Sequence, residues 1–523
     1  MNSADDRHDL LHYCLTPWKQ EHVLRWWQEL AVRQRKQLGR QVQQLDLQLL
    51  QRLFARASSD DVSRLPSPDA IHPAIAVAGK DGPGINAIQL GQQALRAGQV
   101  AVVLVAGGNG TRLGHEGPKG TFPIGPVSNR SLFQIHAEKI LAIGRRYRAP
   151  LPLYIMTSPE NDEATREFFA EHAMFGLDAD QVIFFQQGTM PVLDRRTGKL
   201  LMTQKHRIAA SPNGHGGVLE ALAGGGHLAD MQRRGIEHVF YYQVDNPLVK
   251  VADPAYLGHH IRAASELSLK VVRKTYPEEK LGVVVEVNGR LRLIEYSDLP
   301  EEVAGRRSAD GKLEIWAGNI AVHLFTLSFL QRLTADGVKL PCHRAIKKVP
   351  YLDDRGKTVE PTEPNAVKFE MFVFDALPLA RKALLVETDR REEFEPLKNA
   401  EGDSSPASVR QAMSNLYATW LEGIDVPVPR HSDRSVSVPL EISPLLALDA
   451  EQLRDRLAWR GPVNGPLLLD ERAAATQEIP QQKAGLGPGL WRCDESAATV
   501  HRARGGKPRD VRGGKPRGSQ HVS

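Results

Sequence analysis

The sequence predicts an α/β protein built on a mostly parallel sheet, and three observations point there. From about residue 100 onward, strand-like and helix-like stretches alternate, the pattern left by repeated crossovers between parallel strands. The first of these strands, Val100–Val105 (VAVVLV), is apolar throughout, as a strand covered on both faces must be. A glycine-rich stretch follows at once, at the strand end where open α/β sheets bind their ligands.

Ahead of this core, residues 1–95 read as a helical region. Val23, Trp26, Trp27 and Leu30 fall on one helical face, and Leu38, Val42, Leu45, Leu49 and Leu53 continue at spacings of three and four. The stripe suits either a packing layer or a membrane-surface helix. Acidic residues and glutamines mixed into its polar face favour the packing layer. A Pro-, Ser- and Asp-rich connector spans 58–73, and Gly82, Gly84 and Gly91 lead into a short helix.

The central domain is expected over 96–429. Further strands are predicted at Leu153–Thr157, Val182–Gln186, His238–Val244, Leu269–Arg273, Ile320–Thr326 and Lys368–Asp375, with helices at Leu132–Arg146, Glu160–Ala173 and Val218–Arg234. Val283–Val287 and Leu291–Glu295 read as a hairpin, because Asn288-Gly289 supplies the two positive φ angles of a type I′ turn. A small β-containing domain is expected over 430–472, where PLEISPLLAL (Pro439–Leu448) and PLLLD (Pro466–Asp470) stand, followed by a disordered basic tail over 473–523.

A hydrophobic content of 41% with 25% charged residues in 523 residues fits a soluble globular chain of two or three domains, and no run approaches the roughly 18 apolar residues of a membrane span. The first residues lack a basic segment followed by an apolar one, so no secretory signal is read there. Cys14, Cys342 and Cys493 form no CxxC pair, which argues for a reducing, cytoplasmic setting and against zinc or disulfides. The net charge of +5 is local: from Arg502 onward seven basic residues face one aspartate, a net of +6, leaving the rest at about −1. In that tail RGGKPR occurs twice, at Arg504–Arg509 and Arg512–Arg517; it reads as a solvated end or as a weak electrostatic contact for a polyanion.

The chemistry concentrates in GGNGTRLGHEGPKGTFPIG, Gly107–Gly125. Gly107, Gly108, Gly110 and Gly114 leave the backbone almost free of Cβ atoms, so successive N–H groups can turn toward one anion. Arg112 within the stretch and Lys119 beyond it add the cations a polyphosphate requires. The Gly-Lys-Ser/Thr of a P-loop is missing, and Leu113 stands where a dinucleotide fingerprint has its third glycine.

Later segments carry weaker signals. Gln186-Gln187-Gly188 closes a strand, either as a polar cap or as an amide that matches the donor and acceptor edge of uracil. Ser211–Gly217 (SPNGHGG) is a second glycine loop entering a helix, a plain turn or a close approach to a flat base. Asp245-Asn246 follows a strand and reads as a turn or as a Mg²⁺-holding carboxylate beside phosphate. Glu295, Tyr296 and Asn319 offer acceptors and donors to sugar hydroxyls, and Lys368 and Lys398 are solvated lysines or phosphate partners.

Over roughly 17–472 these segments, in this order, resemble the UDP-N-acetylhexosamine pyrophosphorylases. QEHVLRWWQEL resembles that family's N-terminal domain, and ISPLL with PLLLD its C-terminal one. The resemblance implies a Rossmann-like, GT-A-like nucleotidyltransferase centre. It implies UTP contacts at Val105, Ala106, Gly107, Gly108, Lys119, Gln187, Gly214, Asp245 and Lys368, with Asp245 also on Mg²⁺. The sugar side would comprise His215, Gly282, Glu295, Tyr296, Asn319 and Lys398, and the catalytic cations Arg112, Lys119, Lys368 and Lys398.

Four positions depart from the family's habit. His215 stands where asparagine is usual, and the similar plant-type UDP-sugar pyrophosphorylases carry Gly-His-Gly there. Thr121-Phe122 replaces Met-Tyr, and Met371 replaces a frequent lysine. The expected reaction is therefore uridylyl transfer from UTP to N-acetylglucosamine 1-phosphate, with a broader UDP-sugar or UDP-glucose/galactose pyrophosphorylase as the alternative. Readings from other classes are a nicotinamide dehydrogenase, disfavoured by Leu113, and a non-catalytic UDP-sugar binder, disfavoured by the full set of cations.

Overall fold

The structure, a computed structural model, describes residues 3–55, 66–79, 84–335 and 340–474. The expected basic tail, the first half of the 58–73 connector and Gly82 lie outside the described residues, apart from Ala473 and Ala474. Eight strands form the spine of the central sheet: β1 (Val77–Ala78), β2 (Val100–Val105), β3 (Leu153–Thr157), β4 (Val182–Gln186), β5 (His238–Gln243), β6 (Leu267–Arg273), β7 (Ala317–Thr326) and β8 (Ala383–Glu387). Their order across the sheet is β1-β8-β6-β7-β5-β2-β3-β4. All neighbours run parallel except β7, which is antiparallel to both β5 and β6. The sheet is thus mixed α/β with parallel pairing dominant.

Alternation along each strand divides the core between the two faces. Val100, Val102 and Leu104 of β2 join Leu153, Ile155, Phe240 and Tyr242 on one side. Ala101 and Val103 join Tyr154, Met156, Val239 and Tyr241 on the other. Both sides are buried, which is why the strands read as unbroken apolar runs.

Register then decides where the site falls. Gln243 of β5 lies opposite Val105, Val105 opposite Met156, and Thr157 opposite Gln186. Four parallel strands therefore end level, and Asp245, Gly107, Ser158 and Gln187 emerge along one edge. Antiparallel β7 begins at that same edge, bringing Asn319 with it, since Tyr241 is opposite His323 and Asn319 opposite Val271. A register shift in the β6/β7 pairing and a φ of 57° at Ala321 mark a bulge there.

The hairpin forms as the sequence predicts: Val283–Val287 pairs with Arg290–Ile294, and Asn288 and Gly289 have φ of 52° and 73°. The N-terminal residues form a packing layer, in which Trp26, Trp27, Leu38 and Val42 meet Leu193, Met202, Val367 and Phe369. Residues 16–29 of it are 3₁₀ turns rather than a continuous α-helix, because adjacent pairs, Val23-Leu24 and Trp26-Trp27, are buried together. The predicted helix Val218–Arg234 is two helices, Val218–Gly224 and His227–Arg233, parted where Gly226 adopts a φ of 72°.

The predicted strand Lys368–Asp375 is also corrected. Ala366–Met371 is a strand, but it belongs to a separate three-stranded sheet with Cys342–Lys347 and Leu193–Asp194, and Val373–Leu379 is a 3₁₀ helix. The apolar character that suggested a longer strand comes from Val373, Phe374 and Ala376 turning into the core, and Pro378 has no N–H for a ladder. Near the C-terminus Leu440–Ile442 and Leu467–Leu469 form a two-stranded parallel sheet that shares a core with helix Pro406–Glu422.

Candidate active site

The glycine stretch leaves β2 and folds back on itself. The Lys119 N–H donates to the Gly108 carbonyl at 3.0 Å, and the Gly110 N–H to the Gly117 carbonyl at 3.0 Å. Gly108 and Gly117 are exposed, and a Cβ at either would meet nothing within 4 Å, so this backbone is open to a ligand. Gly107 is closed in instead: a Cβ there would lie 2.7 Å from the Gln187 amide nitrogen. Gln187, buried just past the end of β4, thus packs its amide against Gly107.

Lys119 joins this loop to two distant segments. Its Nζ lies 3.5 Å from Asp245 Oδ2 and donates to the Leu397 carbonyl at 3.2 Å. The Leu397 N–H in turn donates to the Asp245 carbonyl at 2.8 Å, placing Lys398 at the same junction. Asp245, Asn319 and Lys398 border a cavity of about 40 Å³. Val105 and Ala106 serve through their backbone, since the Val105 carbonyl accepts from the Val244 N–H at 3.0 Å and fixes the strand end from which Asp245 springs.

A second group adjoins the first through Gly188. The Gly188 carbonyl accepts from the Asn213 N–H at 3.0 Å, and the Asn213 carbonyl from the Met371 N–H at 2.7 Å. Gly214 has a φ of 83°, and a Cβ there would sit 2.4 Å from the Met371 carbonyl, so only glycine fits. His215 stacks on Phe372 at 5.4 Å, and its Nδ1 accepts from the Val373 N–H at 3.3 Å. Burial, helped by His343, lowers its pKa to about 4, so the neutral ring keeps its proton on Nε2. Lys368 lies on the strand leading to Met371.

The third group is Gly282, Glu295 and Asn319. The Asn319 N–H donates to the Gly282 carbonyl at 2.9 Å, and Gly282 faces the Glu295 carboxylate, which would be 3.2 Å from a Cβ there. Burial first, and Asp298 next, push the Glu295 carboxyl up, against the pull of His343 and Lys398. Glu295 and exposed Tyr296 border a cavity of about 840 Å³ with His343, Phe372 and Asp375. Arg112 is exposed on the short turn Thr111–Leu113. Arg112, Lys368 and Lys398 have no ion-pair partner among the described residues.

For a metal, the described residues offer no cluster of three His, Cys, Asp or Glu side chains. Among the described residues, Asp245 Oδ2 faces Lys119 and no partner meets its Oδ1. One hard oxygen of this kind fits Mg²⁺, which retains water and takes substrate phosphate oxygens.

Several residues that hold the site are invisible to motif reading. Asn161, 1% exposed, donates to the Ala106 carbonyl at 2.9 Å and the Gly108 carbonyl at 3.3 Å, bracing the loop from β3's side. Lys139 donates to the carbonyls of Pro247 at 2.5 Å and Val249 at 2.8 Å, securing the turn beyond Asp245. Glu441 Oε2 accepts from the N–H groups of Val127 at 2.8 Å and Ser128 at 2.7 Å. The sequence offered only one hint, the Ser-Pro-Glu-Asn turn ahead of a helix at Asn161.

The profile of the family described as UTP–glucose-1-phosphate uridylyltransferase matches residues 61–442. UDP-N-acetylhexosamine pyrophosphorylase-like protein 1 of Homo sapiens is 37% identical over 494 residues, covering 88% of this chain and 96% of its own. The chain belongs to this family. Within it, the UDP-N-acetylglucosamine pyrophosphorylase of Saccharomyces cerevisiae is 42% identical over 344 residues, 64% of this chain and 72% of the yeast protein. The crystal structure of a putative UDP-N-acetylglucosamine pyrophosphorylase from Entamoeba histolytica superimposes with a TM-score of 0.70 at 31% identity, covering 76% of this chain and 100% of that one. Family membership accords with the sheet described above, whose level strand ends gather the glycine loop, Asp245 and Asn319.

Proposed function

We propose that the protein is a uridylyltransferase that makes UDP-N-acetylglucosamine and pyrophosphate from UTP and N-acetylglucosamine 1-phosphate, reversibly. One observation carries the reading: Lys119 ties the open glycine loop to Asp245 and to the segment bearing Lys398, at the edge where parallel strands end. The relatives named for N-acetylglucosamine favour that sugar over glucose or galactose.

The nucleophile is a phosphate monoester oxygen. With a second pKa of about 6 it is mostly dianionic at neutral pH and needs no general base. The obstacle is an anion attacking an anion, so the chain's work is in-line positioning and neutralisation of charge. In this reading Gly107, Gln187 and Gly214 hold the uracil and ribose end, where the Gln187 amide presents both a donor and an acceptor. Backbone N–H groups of Gly108 and its neighbours, with Arg112, Lys119 and Lys368, take the triphosphate. Lys398 holds the sugar phosphate, and Glu295, Tyr296 and Asn319 take sugar hydroxyls, with His215 beside them. Mg²⁺ held by Asp245 and substrate phosphate would supply further neutralisation at the reacting phosphorus.

The test is release of pyrophosphate from UTP and Mg²⁺ with a panel of sugar 1-phosphates. The acetamido sugars are expected to lead. Preference for glucose 1-phosphate would replace this reading with that of a broader UDP-sugar pyrophosphorylase, and absence of release with all of them would end it.

A further inference from the structure

The cavity bordered by Glu295 and Tyr296 contains an imidazole to which the reading above gives no task. His343 lies on Cys342–Lys347, opposite Glu370, and Ala345 on the same strand lies opposite Lys368. Alternation therefore places His343 on the face that carries Lys368 and Glu370, while Val367, Phe369 and Met371 are buried in the core. Its Nε2 donates to Asp375 Oδ2 at 2.7 Å, and its ring stacks on Phe372 at 4.5 Å with an interplanar angle of 28°.

Two anchors fix this ring's plane and position, yet 39% of the side chain stays exposed. With Nε2 spent on Asp375, Nδ1 is the polar atom left for a ligand. Burial works to lower the pKa of His343, but Asp375, Asp298 and Glu295 together raise it above the ordinary imidazole value; these carboxylates favour the imidazolium, the form in which Nδ1 carries a proton and can donate. Four carboxylates border this cavity, Glu295, Asp298, Glu370 and Asp375. Carboxylates accept hydrogen bonds, and sugar hydroxyls can donate to them. The carbonyl oxygen of an acetamido group can only accept, so it needs a donor. Arg292 and Lys347 reach the cavity from exposed positions, and Arg344, which also borders it, lies on the other face of the strand with its guanidinium over the Phe54 ring at 5.8 Å, whereas His343 is anchored on the cavity's side.

We infer that His343, held by Asp375 and Phe372, is a specificity-determining residue whose Nδ1–H reads the carbonyl oxygen of the sugar's 2-acetamido group. This rests on the uridylyl-transfer reading and adds to it the residue that separates an acetamido sugar from a plain hexose. A site that spends a fixed donor on one substrate oxygen discriminates strongly against the analogue lacking it, because the donor is then left unpaired.

The test compares binding of UDP-N-acetylglucosamine, UDP-glucose and UDP to the full chain by titration calorimetry, in the wild type, His343→Leu and His343→Gln. The wild type is expected to bind UDP-N-acetylglucosamine more tightly than UDP-glucose. His343→Leu should weaken UDP-N-acetylglucosamine about tenfold or more while UDP and UDP-glucose change little, and His343→Gln, which keeps a donor, should recover part of the loss. Equal weakening of both nucleotide sugars, or no weakening of either, overturns the assignment. If melting shows that the leucine variant does not fold, the glutamine variant is judged alone: selective, partial weakening supports the assignment, and any other pattern overturns it. Failure of the wild type to bind UDP or either nucleotide sugar would instead overturn the uridylyl-transfer reading beneath it.

Discussion

Lys119 shows how a single side chain acquires its role from what reaches it. Its side chain is only 19% exposed, and its ammonium touches two segments far away in sequence. Lys119→Ala should lower turnover on the order of 100-fold, as loss of one preorganised charge-stabilising group does. The melting temperature should stay near that of the wild type, and pyrophosphate release beside a thermal melt checks both. Gly214→Ala tests the opposite kind of residue, one chosen for its backbone. With a φ of 83° and a Cβ 2.4 Å from a carbonyl oxygen, the variant should lose at least about 1–3 kcal/mol of stability, read from a urea midpoint. Lys119, Asp245 and Gly214 were legible because each sits in a local pattern of glycines or at a strand end. Asn161, Lys139 and His343 were not, because a lone polar residue is defined by partners that only tertiary folding supplies.

At the level of elements, β3 and β4 begin and end where the sequence places them, since both are short apolar runs bounded by polar turns. The errors arise where local signals compete. The apolar positions of 218–234 keep a helical period straight through three glycines, and the apolar residues after Met371 belong to a 3₁₀ turn entering the core. The small C-terminal pair of strands was also legible, but not its reach to the glycine loop. Buried Glu441, on the strand Leu440–Ile442, accepts three hydrogen bonds from Val127 and Ser128, a few residues beyond the glycine stretch. Glu441→Ala strands those donors and should cost about 3 kcal/mol, measurable as a lowered urea midpoint.

Across the whole molecule, buried histidines set the acid limit. Burial is the leading cause that brings His136, His260 and His323 down to about 3 and His215 to about 4. The unfolded chain takes up these protons near pH 6.5, and the folded chain does not until the lower values. Between those limits the unfolded state binds more protons, so stability rises with pH and falls as the solution is acidified below about 6.5. Glu138 and Glu295, raised by burial, oppose this only in the carboxylate range, and His343, raised by Asp375 against its burial, opposes it as a single ring against four. The urea midpoint should therefore be lower at pH 5.5 than at pH 7.5, and equal midpoints would contradict the burial of these rings.

The 3.5 Å contact between Lys119 and Asp245 has one more result. A carboxylate whose neighbour is an ammonium is a poor lone host for a dication, because the approaching ion meets a charge already answered. The resting protein should therefore give no calorimetric signal with magnesium salt alone and a clear one once UTP is present. Cation and nucleotide would then arrive as a single guest, with the lysine moving from its resting companion to the incoming phosphates.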